Sequence, residues 1–224
     1  MLIAWAQKKG GVGKSTLATH MAVWLHDSGF KTALLDADEQ GSSSRWIGQA
    51  ETRITVESTD DPDKCVPIAQ ELISSHDFVI ADAPGGMGQI SRTLLLLADL
   101  AIFPIGPSIL DVWSVSDATE ILRYAQGINR GKPEGRLVLN KMETGGVISR
   151  ELRETAPRLG LAVASSVIRH LRVYKDAAQQ GTVVSRLGVK GRDAAAEIEA
   201  LFTELLGSVD PRFSNPRRQL AENG

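Results

Sequence analysis

The stretch Ala6-Gln7-Lys8-Lys9-Gly10-Gly11-Val12-Gly13-Lys14-Ser15-Thr16 constrains this chain more than any other. A short apolar run, Leu2-Ile3-Ala4-Trp5-Ala6, precedes it and reads as a buried strand. Leu17, Met21, Val23, Trp24 and Leu25 follow with a helical pattern, which predicts a helix from about Lys14 to His26 with Gly29 at its C-cap. A glycine-rich turn between a strand and a helix N-terminus is a phosphate-binding device. Its backbone N–H groups point into the loop, the helix dipole favours an anion, and the glycines allow close approach. Lys14 is placed to reach the β- and γ-phosphates of a nucleotide and the Ser15 hydroxyl to sit on Mg²⁺. Gly10, Gly11, Val12, Gly13 and Thr16 complete the candidate loop.

Two further strands end in carboxylates. Lys31-Thr32-Ala33-Leu34-Leu35-Asp36-Ala37-Asp38 is apolar until its end, and Glu39-Gln40-Gly41-Ser42 turns the chain. Asp77-Phe78-Val79-Ile80-Ala81-Asp82-Ala83-Pro84-Gly85-Gly86 ends a hydrophobic strand in one Asp, the Walker B arrangement, in which Asp82 holds Mg²⁺ through water. Sites in α/β folds lie at the carboxyl ends of strands, where these groups fall. Residues 99–104 and 135–140 read as further core strands, and 53–57 alternates like an edge strand. Helices are expected over 43–50, 64–75, 90–98, 111–126, 147–158 and 192–206. This order implies a single-domain α/β fold, a mostly parallel twisted sheet with helices on both faces. Residues 1–207 form the expected domain and 208–224 an expected flexible tail.

At 224 residues the chain can bury one sizeable α/β core, or two small ones at most. The lone Cys65 excludes a disulfide framework and any Cys-rich metal site. Met1-Leu2-Ile3-Ala4-Trp5 runs straight into the glycine-rich loop and is too short for a signal peptide, and no apolar run approaches the roughly 20 residues that span a bilayer, so the expected location is cytoplasmic. The net charge of −2 hides an asymmetry: residues 1–129 carry 9 Lys+Arg against 16 Asp+Glu, and residues 130–224 carry 16 against 11. A basic C-terminal half points to a polyanion partner.

A strict phosphate-loop pattern wants glycine where Lys8 stands. Lys-Gly-Gly-Val-Gly-Lys-Ser, with the extra Lys9, instead resembles the deviant Walker A motif of the ParA/MinD ATPases. The resemblance spans nearly the whole chain and is most specific at residues 7–16, 36–42 and 77–86. It implies that Lys9 crosses a dimer interface to the partner subunit's nucleotide. Residues 36–42 resemble the family's D-x-D-P-Q-G segment, with Glu39 where Pro is common; Asp38 then orients the attacking water and Asp36 supports the Mg²⁺ shell. In phosphoryl transfer such a group mainly positions. Pro84-Gly85-Gly86 would be a second switch loop. Gly106 to Trp113 resembles a dimer-face element of small ParA proteins, although Asp111 reads equally well as a helix cap. Asn140 contacts adenine by the resemblance, and a strand-end turn is the other reading. Residues 167–178 resemble the family's I-R-x-x-x-x-Y-x-x-A stretch.

The function so implied is a partition or positioning ATPase using ATP, ADP and Mg²⁺. ATP bridges a homodimer, the dimer binds DNA non-specifically on the nucleoid, and a small ParB-like or adaptor protein stimulates hydrolysis. Arg169, Arg172, Lys190 and Arg192 are the candidate DNA contacts. A MinD-like membrane switch needs a C-terminal amphipathic helix, which Ser214-Asn215-Pro216-Arg217-Arg218-Gln219 does not supply, so no stable membrane association is expected. The nitrogenase iron protein class needs two cluster cysteines. A phosphate-loop enzyme acting on a small molecule remains the alternative of a different class.

Overall fold

A computed structural model describes residues 1–143, 153–154 and 161–214, without the side chains of 109–115 and 117. The expected helix over 147–158 lies outside the described residues except at 153–154, which are helical.

Seven strands form one all-parallel sheet: β1 (Leu2–Gln7), β2 (Thr32–Asp36), β3 (Thr55–Ser58), β4 (Phe78–Gly85), β5 (Leu100–Ile105), β6 (Glu134–Met142) and β7 (Ala162–Arg169). Their spatial order is β3-β2-β4-β1-β5-β6-β7, so β1 sits at the centre and β3 at an edge. Parallel sheets need both faces covered, and β1, β2 and β5 are buried along their whole lengths. Alternation sorts the side chains. Leu2, Ala4 and Ala6 join a core with α3 (Pro62–Ser75), α4 (Gln89–Leu97) and α5 (Ile109–Ile128); Ile3 and Trp5 face α1 (Lys14–Asp27), α2 (Ser42–Ala50) and a C-terminal helix on the other side.

Further helices among the described residues are α6 (Val173–Gln179) and α7 (Arg192–Gly207), joined by 3₁₀ turns at Val184–Arg186 and Gly188–Gly191. Leu201, Phe202 and Leu205 of α7 are buried, and Phe202 meets Trp5 edge-on at 6.3 Å. Helix α5 starts at Ile109, so Asp111 lies inside its first turn and not at the N-cap position that a helix over 111–126 would give it. Helix α3 is capped by Asp61, whose side chain accepts from Asp63 N, with Pro62 opening the helix where its missing N–H has no intrahelical partner to lose.

The packed body continues past residue 207. Phe213 is buried against Trp24, Phe30 and Phe78 at 5.7, 5.5 and 6.0 Å, and Arg212 stacks over Phe30 and Phe78 while paired with Asp210. Apolar burial here anchors the chain as far as Ser214; residues 215–224 lie outside the described residues.

Candidate nucleotide and magnesium site

The central strand β1 delivers the glycine-rich loop to the start of α1. Gly11 and Gly13 have φ of 76° and 95°, a region that L side chains rarely adopt. A Cβ on Gly13 would also lie 2.3 Å from Asn140 Nδ2, so glycine is required there twice over. The first turn of α1 holds no acidic residue, which leaves its N-terminus open to an anion. Lys14 is buried at that terminus. Desolvation lowers its pKa, opposed by the charges of Asp82 and Asp38.

Sheet order brings the carboxylates together. Asp36 on β2 is the register partner of Asp82 on β4, and Trp5 of β1 flanks Asp82 on the other side. Both Asp82 oxygens are buried without a hydrogen-bond partner among the described residues. Burial raises its pKa to about 6; the nearby Ser15 and Ser43 hydroxyls and the Lys14 ammonium favour its charged form, and Asp36 opposes them. A buried carboxylate with unfilled acceptors beside the Ser15 hydroxyl is a donor set of the hard oxygen kind that Mg²⁺ takes. Asp82 and Ser15 therefore fit the ion.

Asp36 does something further. Its two oxygens accept Asp38 N at 3.2 Å and Ser44 N at 2.8 Å, so it shapes the loop between β2 and α2 and caps α2 from a distance. Asp38 is half-buried. Its carboxylate accepts Gln40 N at 3.0 Å and reaches Gly85 N at 3.3 Å, linking this loop to the end of β4. Gly86 N in turn bonds Lys8 O at 2.9 Å, next to the half-buried Lys9. Asn140, buried at the end of β6, donates to Val12 O at 2.7 Å.

The four expected DNA contacts differ in state. Arg169 pairs with Glu197 and lies 3.6 Å from Asp193, the neighbour of Arg192. Its charge is already neutralised, which makes it a link between β7 and α7. Arg172 lies 3.6 Å from Asp176 and is almost fully exposed; Lys190 and Arg192 are exposed.

Ser43 and Lys141 escaped the sequence reading. Ser43 carries no motif. Lys141, beside Asn140, bonds Gly11 O at 2.6 Å, a contact spanning 130 positions.

The description "CobQ/CobB/MinD/ParA nucleotide binding domain" matches residues 3–222. The chain is 33% identical over 213 residues to "Maintenance of carboxysome distribution protein A" of Halothiobacillus neapolitanus, covering 92% of this chain and 96% of that one. The Cyanothece apo McdA structure superposes with a TM-score of 0.74 at 19% identity, over 91% of this chain and 98% of that one. MinD of Pyrococcus horikoshii, complexed with Mg-ADP, gives 0.67 at 20%, over 93% and 95%. A glycine-rich loop, two facing carboxylates and a match from end to end leave one conclusion: the chain belongs to the CobQ/CobB/MinD/ParA nucleotide-binding family and is a ParA-type ATPase that works with ATP, ADP and Mg²⁺.

Proposed function

We propose that this ATPase positions a cargo by closing and opening an ATP-bridged homodimer on DNA. Lys14 and the loop amides bind the phosphates, and the Asn140 amide, with Oδ1 and a second N–H to offer, reads adenine. Mg²⁺, held by Ser15 and Asp82 and supported from Asp36, neutralises phosphate charge when bound. Asp38 orients the attacking water, and Lys9 reaches the nucleotide of the second protomer. Arg172, Lys190 and Arg192 carry the non-specific DNA contact, and Arg169 holds the end of β7 beneath them. A small ParB-like or adaptor protein stimulates hydrolysis, and the dimer then leaves the nucleoid.

The observation that carries this reading is the likeness to the carboxysome distribution protein over 92% of one chain and 96% of the other. It makes a protein microcompartment of that kind the proposed cargo. Light scattering with a non-hydrolysable ATP mimic should show the mass doubling, and the doubled species should bind DNA of unrelated sequence. A species that keeps its single mass and ignores DNA would refute the cycle.

A further inference from the structure

We infer that Lys141 is a positioning residue for the phosphate loop, acting with Asn140 as a two-pronged brace on consecutive loop carbonyls. The brace rests on a fault in the sheet. Leu139 of β6 pairs with Val167 of β7, yet Met142 pairs with Arg169, so β6 holds one residue more than β7 over this interval. That is a β-bulge, a device that re-aims side chains beside functional sites. Lys141 sits in it with φ of 57°, a left-handed conformation costly for a residue with a Cβ.

The strain has a geometric return. Neighbouring residues of an extended strand point to opposite faces. The left-handed turn at Lys141 brings both side chains to the same loop. Asn140 Nδ2 donates to Val12 O at 2.7 Å, and Lys141 Nζ donates to Gly11 O at 2.6 Å. In a trans peptide unit the C=O and N–H point in opposite directions. Holding the Gly11 carbonyl therefore aims the Val12 N–H, and holding the Val12 carbonyl aims the Gly13 N–H. Both carbonyls are drawn outward, so two consecutive amides are left facing the phosphate. The brace closes this tightly because Gly13 has no side chain to meet Asn140.

Preorganised amides tighten nucleotide binding by removing the ordering that binding would otherwise require. This inference rests on the nucleotide-binding family and not on the positioning cycle. The test therefore uses Mg·ADP, which reports on one protomer without the dimer or DNA. In the full chain, Lys141→Met and Lys141→Gly should weaken Mg·ADP about tenfold by calorimetry, the loss expected for one charge-assisted hydrogen bond. Lys141→Arg keeps a donor of sufficient reach and should stay within about threefold of the native chain. Glycine accepts the left-handed backbone, so the nucleotide-free Lys141→Gly protein should melt at or above the native temperature. Native-like affinity in both the Met and Gly variants would overturn the brace. So would an Arg variant as weak as Met, or a Gly variant whose nucleotide-free melting temperature falls with its affinity.

Discussion

Acidification should loosen the contact between α1 and the chain at 182–184, and the group responsible is His20. It lies one turn beyond Thr16 of the phosphate loop and is 2% exposed, with Trp46 and Tyr174 edge-on, each ring 5.5 Å away. Nδ1 lies 2.7 Å from Thr16 O, which can only accept, and Nε2 lies 3.2 Å from Val184 N, which can only donate. These partners select the neutral tautomer with its proton on Nδ1. A second proton on Nε2 would confront the Val184 N–H. Burial lowers the pKa from 6.5 to about 4, although the Thr16 carbonyl opposes the shift. The unfolded chain therefore takes up the proton first as pH falls. The stability this group confers is complete above about 6.5 and is lost as pH falls toward 4. Linkage puts the loss at about 2 kcal/mol between pH 7 and 5 and about 3 kcal/mol for the whole shift. Urea unfolding of the nucleotide-free protein at pH 7, 6 and 5 measures it against His20→Gln, which does not titrate. The native chain should be the more stable at pH 7, and its advantage should shrink by about 2 kcal/mol at pH 5. Two parallel stability profiles would refute the assignment.

Other outcomes follow from the site. Lys9→Ala should keep part of its ATP binding and lose hydrolysis, read as phosphate release; native turnover would defeat the proposed reach of Lys9 into a second protomer. Asp82→Asn removes a buried charge whose oxygens accept no hydrogen bond among the described residues, so the nucleotide-free variant should melt no lower than the native chain while Mg²⁺ ceases to tighten ADP, measured by thermal shift with and without the ion. Replacing Arg172, Lys190 and Arg192 together by Ala removes six cations from a dimer and should reduce the salt dependence of DNA binding, as log K against log salt, by a slope of about 5. An unchanged slope would move the DNA contact elsewhere.

The parts legible in the sequence are those carried by local pattern. Residues 2–6, 32–36 and 100–105 are uninterrupted apolar runs between turn signals, and a central parallel strand needs no more. Lys14, Ser15 and Asp82 are legible as candidates because the chemistry of phosphate fixes their spacing to glycines and strand ends. What stayed hidden depends on partners far along the chain. Arg169 reads as a free cation until the fold brings Glu197 and Asp193 to it. Phe213 reads as tail until Phe30 and Phe78 supply a pocket. The bulge at Asn140-Lys141 appears only once β7 is laid beside β6, because a strand's pattern does not show its partner's register.

The loops around the nucleotide are held unequally, and the inequality fits the division of labour among them. On the β6 side the phosphate loop takes two short hydrogen bonds, 2.7 and 2.6 Å, one of them from an ammonium. On the β2 and β4 side the corresponding bonds are longer. Gly86 N meets Lys8 O at 2.9 Å, and Gly85 N meets a half-buried Asp38 carboxylate at 3.3 Å, the longest of the set. Movement of the β4 loop forfeits that long bond first, whose net worth is about 1 kcal/mol or less, and leaves the phosphate loop clamped from the other side. Asp36 bonds Asp38 N and Ser44 N independently of β4, so losing the Gly85 bond leaves the Asp38 backbone held and its carboxylate still accepting Gln40 N. In the proposed cycle the β6 wall stays fixed and the β4 wall responds to the γ-phosphate, the arrangement a hydrolysis-driven switch requires.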